Sequence, residues 1–294
     1  MTSTKNMRSC GTHDGAFHAD EVTACALLFI FNLIDKDKII RTRDPEKLKL
    51  CEFVCDVGGV YDPESKLFDH HQVEYKGSFS SAGMILLYLK NHELMNEEEY
   101  YFFNNSLVSG VDDHDNGLDP QIPGVSTYSH IVSNFTPIKH NAEPEEQEDA
   151  FFEALSFAIG HLNRMRERYR YTQSCKEIVA SAMELKKEYL LFDKAIPWMD
   201  SFFSLGGLNH PALFVIMPAG KHWKLRGIPP SSDDKMEVRM PLPFDWAGHL
   251  DLDLKELTGI KGAIFCHKGR FISVWETKED ALTALEYTIQ HAKE

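Results

Sequence analysis

Over the first 120 residues or so, short apolar runs alternate with segments of helical periodicity, the pattern of a parallel sheet covered by helices. Met7–Thr12 reads as a first strand, Lys38–Thr42 and Phe53–Val57 as the next two, and Lys66–Phe68 as a short fourth. Asp20 precedes Glu21–Ile34, which is apolar on nearly every face and so reads as a buried helix. Ser80–Lys90 and Glu97–Val111 are also expected to be helical. The second of these opens on three glutamates, where the helix dipole favours acids. Gly117–Pro144, with its prolines, glycines and asparagines, reads as a long loop. Glu145–Leu162 and Gln173–Phe192 follow as helices, near-continuous through the charged segment Arg164–Tyr171.

After Ile196 and Pro197 the texture changes. Ala212–Met217, His222–Arg226, Gly262–Cys266 and Phe271–Trp275 are short β-rich runs between glycine and proline turns, and Thr277–His291 closes as an amphipathic helix. At 294 residues the chain is long enough for two domains. The reading is therefore an α/β protein with a mostly parallel sheet in a first domain, 1–192. A boundary near 193–197 leads to a smaller α/β domain, 197–294. Hydrophobic residues at 43% and charged residues at 26% exclude disordered and fibrous classes. The longest apolar run, Ala24–Leu33, is far short of the roughly 20 residues a bilayer span needs. Met1–Ser9 lacks the apolar stretch of a signal peptide. The expectation is a soluble, cytoplasmic protein without a membrane partner, an organelle or nucleus remaining open for a eukaryotic source. Six dispersed cysteines, Cys51 and Cys55 being the only close pair, read as buried and reduced. A net charge of −14 argues against capture of nucleic acid by a broad basic surface. It leaves room for a local basic groove, or for an acidic site filled with divalent cations.

Histidine and aspartate pile up in four places, each after a strand or helix end. They are GTHDGAFHADE (His13, Asp14, His18, Asp20, Glu21), CDVGG (Asp56), FDHHQ (Asp69, His70, His71) and GVDDHDNG (Asp112, Asp113, His114, Asp115). Taken singly, each could be a helix cap or a core histidine. In an open α/β sheet, however, the carboxyl ends of the strands line one crevice, where sequence-distant groups converge. Imidazole with carboxylate suits Mn, Zn, Fe or Co, whereas an all-oxygen site suggests Mg or Ca. So many ligands favour two ions, with Asp56, alone on its loop, placed to bridge them. Such a pair makes a bridging hydroxide at neutral pH and clamps the oxygens of a displacement at phosphorus.

These motifs resemble the DHH phosphoesterase superfamily, which includes RecJ-type nucleases, oligoribonucleases and manganese pyrophosphatases. GTHDGAFHADE and DHDNG are closer still to its Myg-type (melanocyte-proliferating-gene) branch, whose pattern runs GTHxGxFHxDExxAC, DVGG, FDHHQ, VDxxDNG. WKLRGIPP, LPFDWAG and GAIFCHKGRF resemble the second domain of that family, so the likeness spans essentially the whole chain. It implies a DHH-type fold and two divalent ions, manganese first, with Mg, Zn, Fe or Co as alternatives. One ion would be held by His13, His18 and Asp56, the other by Asp20, Asp56, His70 and Asp112. Asp56, His71 and Asp69 would stand nearest the chemical step, with His71 facing substrate phosphate. Asp69 and Asp115 would support the ligands from behind. Most DHH enzymes carry a carboxylate where His18 stands, which leaves the identity of the first ion open.

Substrate contacts are expected from Lys224, Arg226, His267, Lys268 and Arg270, since arginine pairs bidentately with phosphate and lysine acts as a point charge. Trp223 and Phe271 could stack on bases, though core packing is the simpler reading. The superfamily's Gly-Gly-rich C-terminal motif is absent, with GRFISVW in its place. The resemblance implies a metal-dependent phosphodiesterase, a 3′–5′ exonuclease on RNA or short oligonucleotides. Two alternatives are a small-molecule phosphohydrolase (a pyrophosphatase or cyclic-dinucleotide esterase) and a non-catalytic metal-binding protein. A homodimer is left open.

Overall fold

The protein is described from a computed structural model, which covers residues 5–139, 141–234 and 237–291. The first four residues of the Met1–Ser9 stretch lie outside that range. Two compact units emerge, Met1–Tyr169 and Arg170–Glu294. The boundary expected at 193–197 falls inside the second of them.

In the first unit, β1 (Asn6–Thr12) leads into α1 (Ala19–Ile30), and β2 (Ile39–Arg41) follows. A short α2 (Pro45–Leu48), capped by Asp44, precedes β3 (Cys51–Cys55), β4 (Tyr61–Asp62) and β5 (Leu67–Phe68). The sheet order is β2-β1-β3-β5-β4, parallel throughout except for β4. This is the helix-covered parallel sheet read from the sequence. β2 and β5 are shorter than expected, β3 starts two residues earlier, and β4 was not foreseen, because two-residue pairings leave no periodicity to detect.

The main core lies between this sheet and α1 with α3 (Ser81–Asn91), filled by residues such as Leu27, Leu28, Phe53, Phe68 and Ile85. Leu48, Cys51, Val54 and Val57 form a smaller apolar cluster that includes α2. All six cysteines are buried and free. Helices α4 (Glu97–Phe103) and α5 (Ser109–Asp115) are joined by a π-helical turn, Asn104–Val108. π-Turns of this kind occur often at functional sites. Within the segment expected to be loop, Thr127 caps a short α6 (Tyr128–Ser133).

The first helix read after Pro144 continues through the charged segment as α7 (Pro144–Ser174), and α8 (Lys176–Glu184) stands where the second was read. The second helix does not run to Phe192. Lys186 takes a left-handed φ of +47°, and Tyr189–Leu191 becomes β6, paired in parallel with β7 (Phe214–Ala219). After α9 (Met199–Ser204) and β7 come β8 (His222–Gly227), α10 (Asp251–Thr258), β9 (Ala263–Cys266), β10 (Ile272–Trp275) and α11 (Lys278–His291). This sheet runs β6-β7-β8-β10-β9, antiparallel beyond the first pair. Alternation along β8 puts Leu225 in a core with Trp246, Trp275 and Leu285, and Trp223 packs against the same core. Among the described residues, no helix is long and apolar enough to cross a membrane.

Candidate metal centre

Asp56 follows β3 directly and organises the centre. Its backbone sits in the left-handed region at φ +58°, where aspartate is tolerated better than most residues. Its N–H still bonds to the Phe68 carbonyl at 2.9 Å, so the chain turns at the sheet's edge without losing the ladder. The buried carboxylate faces two ways. Oδ2 lies 3.2 Å from His13 Nε2, and Oδ1 lies 3.4 Å from both His70 Nε2 and His71 Nδ1.

On the Oδ2 side, His13 opens the loop leaving β1, and His18 closes it just before the first turn of α1. Their rings are 6.0 Å apart. Glu21, in that first turn, is fully buried. Its Oε1 meets His13 Nε2 at 2.9 Å, and both its oxygens accept the His18 backbone N–H. The sequence reading placed Glu21 in the motif and gave it no role. The available signal was a glutamate three residues after the helix cap, on a helix otherwise apolar all round. His13, His18, Glu21 and Asp56 present donor atoms within 4.8 Å of one another.

On the Oδ1 side, two further groups share His70: Asp56 with His70 and His71, and Asp20 with His70 and Asp115. His70 Nε2 stands 3.1 Å from Asp115 and 3.8 Å from Asp20. Asp115, expected behind the ligands, is therefore in the group itself. Asp112 is not. Its Oδ1 accepts from the Ser80 N–H and hydroxyl and from the Gly83 N–H, at 2.9, 2.7 and 3.2 Å. Gly83 has to be glycine here, because a Cβ would collide with the Asp112 carboxylate. Asp20 grips the same helix start, with Ser80 Oγ 2.7 Å from its Oδ1 and the Ser81 and Ala82 amides donating to it. Both aspartates thus anchor α3 beneath the centre. Asp69 anchors the other wall. Its Oδ1 meets His71 Nδ1 at 2.8 Å, and its Oδ2 accepts the Gly59 N–H of the CDVGG turn. The His71 side chain is 64% exposed and His18 is exposed too, whereas His13, Asp20, Glu21 and Asp56 are buried.

The electrostatics of the bare centre are those of a site lacking positive charge. Burial opposes ionisation of His13, but Asp56 and then Glu21 outweigh it and raise its pKa to about 10. His70 rises against burial to about 9, driven by Asp56, Asp20 and Asp115. Burial also opposes the charge on Asp56, yet His13 and His70 bring its pKa down to about 2. Burial pushes Asp112 up to about 6, and burial with the neighbouring Asp56 and Asp115 raises Asp20 well above the usual carboxylate range. Asp56 Oδ1 and His70 Nε2 are buried and make no hydrogen bond. Two orphaned atoms of ligand type facing each other at 3.4 Å, in a mixed imidazole–carboxylate set, fit a divalent transition ion.

The expected substrate residues lie in the second unit. Strand pairing sets Lys224 between Met217 and Val274, and Arg226 between Val215 and Ile272, so the two cations share a sheet face opposite Leu225. Both are half-buried, and neither has an ion-pair partner among the described residues. Burial lowers both pKa values, and Arg226 lowers that of Lys224 further. Arg270 donates to the Leu242 carbonyl in the turn before β10, and the His267 ring lies 4.4 Å from that of Phe271.

Residues 9–289 match the profile of the MYG1 exonuclease family, described as an uncharacterised protein family, UPF0160. The MYG1 protein of Chlamydia muridarum (strain MoPn / Nigg) is 53% identical over 283 residues, covering 96% of this chain and 97% of its own. The MYG1 exonuclease of Homo sapiens is 30% identical over 323 residues, covering 95% and 85%. RecJ from Thermus thermophilus, solved in complex with Mn2+, aligns with 96% of this chain and 52% of its own. Its identity of 12% and TM-score of 0.29 are too low to bear on activity.

Proposed function

We propose, since the chain belongs to the MYG1 exonuclease family, that it is a metal-dependent phosphodiesterase acting as a 3′–5′ exonuclease on RNA or short oligonucleotides. The observation that carries this reading is the division of Asp56, one oxygen toward His13 and the other toward His70 and His71. A carboxylate so placed can serve two ions at once. Their donors would be His13, His18, Glu21 and Asp56 on one side, and Asp56, His70, Asp20 and Asp115 on the other. Two divalent ions there would supply Lewis acidity to activate water and neutralise the scissile phosphate. The mixed imidazole–carboxylate set favours manganese or a neighbouring transition ion over magnesium. The order of the four motifs supports placing the family within the DHH superfamily.

The chain's own residues would do the positioning. Asp69 holds the His71 ring so that its exposed edge can donate to a phosphate oxygen, and the Gly59 contact keeps that support rigid. Lys224 and Arg226, half-buried without a carboxylate partner, are suited to the backbone phosphates of a single strand. His267 and Phe271 add ring faces in the same unit. The test is to incubate manganese-loaded protein with 5′-labelled single-stranded RNA, pyrophosphate and dinucleotides in parallel. A ladder shortening from the 3′ end is the expected result. Phosphate release from pyrophosphate alone would replace this reading with a small-molecule phosphohydrolase, and silence on every substrate would leave a binding protein.

A further inference from the structure

A second group of ligand-type side chains lies apart from the Asp56 centre and shares no donor with it. His114 comes from α5, Asp119 from the loop that follows, and His130 from α6. One donor atom from each lies within 4.8 Å of the others. Asp119 Oδ2 is the hub, 3.0 Å from His114 Nδ1 and 4.0 Å from His130 Nε2. The two rings meet edge to face with centroids 5.1 Å apart. All three side chains are partly open to solvent.

We propose that His114, Asp119 and His130 form a separate cation site for a zinc-class ion, with its fourth position open to water. The spacing supports this. Donors about 2.0–2.1 Å from a tetrahedral ion stand about 3.4 Å from one another, and the observed 3.0 and 4.0 Å bracket that value. Closing onto an ion would shorten the His130–Asp119 separation by about 0.6 Å and lengthen the His114–Asp119 one by about 0.4 Å, within side-chain freedom. The donor set supports it as well, two imidazoles and one carboxylate being ligands zinc accepts.

Behind the site, Thr127 fixes the His130 ring. Its Nδ1 lies 3.0 Å from the Thr127 hydroxyl, which also caps α6 by accepting the His130 N–H. Nδ1 also accepts the Thr127 backbone N–H at 3.3 Å, which places the proton of the neutral ring on Nε2, toward Asp119; an ion at Nε2 would have to displace that proton. An ion here would join the end of α5, which carries Asp112 and Asp115, to α6 across the Gly117–Ser126 loop. Its role would be to fix that loop, and the inference does not depend on what the Asp56 centre does.

The experiment is zinc stoichiometry, by equilibrium dialysis of the metal-stripped full chain at micromolar Zn2+ followed by elemental analysis. Wild type is compared with Asp119→Asn, His130→Ala and Asp56→Asn, each checked by a melting curve. Asp119→Asn and His130→Ala should each hold one zinc fewer than wild type, and Asp56→Asn should keep that equivalent while losing others. Refilling the wild-type site with Co2+ should give a visible absorption band that Asp119→Asn lacks. Equal zinc content in wild type, Asp119→Asn and His130→Ala overturns the proposal. So does an equivalent that fills only at millimolar zinc, which marks an adventitious ion only. If His130→Ala fails to fold, the near-isosteric Asp119→Asn decides alone.

Discussion

Loading the Asp56 centre with two divalent ions at pH 7 should displace about two protons, because both imidazoles must give up a charge to become ligands. The bare protein holds those protons where the ions would go. His13, raised to about 10, directs Nε2 at Glu21 and Asp56; His70, raised to about 9, directs Nε2 at Asp56 and Asp115. Each proton displaced makes apparent affinity rise roughly tenfold per pH unit below the pKa concerned, so one proton per ion gives roughly hundredfold for each ion between pH 6 and 8. The stability of the metal-free protein should follow the same groups. The imidazole contribution is complete below the ordinary value of 6.5 and is lost as pH rises through about 9 and about 10. The Asp56 contribution is complete above 3.8 and is lost as pH falls through about 2. Asp112, pushed up to about 6 by burial, adds a cost that grows as pH climbs above 3.8. The stripped protein should therefore melt highest between about pH 4 and 6.5, and metal should protect it most above that window. Calorimetric titration with Mn2+ in two buffers of different ionisation enthalpy measures the released protons directly. Release of less than one proton, with affinity changing less than about tenfold between pH 6 and 8, would refute the reasoning.

Asp56→Asn should fold, since asparagine accepts the left-handed backbone at φ +58°, yet lose bound metal and roughly 100-fold or more of its turnover; turnover within a few-fold of wild type would count against a bridging carboxylate. Gly83→Ala should lower stability by about 1–3 kcal/mol, read as a fall in Tm, because its methyl has to displace the Asp112 carboxylate. Arg226→Ala should raise KM, leave metal content unchanged and flatten the salt dependence of single-strand binding by a slope of about 0.7. If Arg226→Ala abolishes kcat at saturating substrate instead, that arginine belongs to the chemical step.

The strand-and-helix rhythm of the first unit was legible because buried parallel strands and an all-apolar helix leave strong, separate patterns. The clustering of His13, Asp56 and His70 was legible for a related reason: each sits where a strand gives way to the next segment, and topology brings strand ends together. The roles of Asp112 and Asp115 could not be divided from the sequence. They lie three residues apart on one helix, and only the π-helical turn before α5 determines which carboxylate meets His70 and which meets α3. Glu21 went without a role because a glutamate early in a helix already has an explanation in the cap. Tyr189–Leu191 was read as helix because apolar runs that short carry no period, and its partner strand lies more than twenty residues further on.

The Ser80 hydroxyl sits 2.7 Å from Asp20 and 2.7 Å from Asp112, and it owns a single hydrogen. It can donate to one carboxylate only. The other close contact between oxygens has to be bridged by a hydrogen that the carboxyl group itself supplies, which agrees with the raised pKa values of both aspartates. Asp20, Ser80 and Asp112 therefore behave as one acid with a shared proton rather than as two anions and an alcohol. A cation drawing on Asp20 would push that shared hydrogen toward Asp112. The filling of the centre would then be registered at the first turn of α3 as a change of hydrogen-bond direction, with no movement of the backbone.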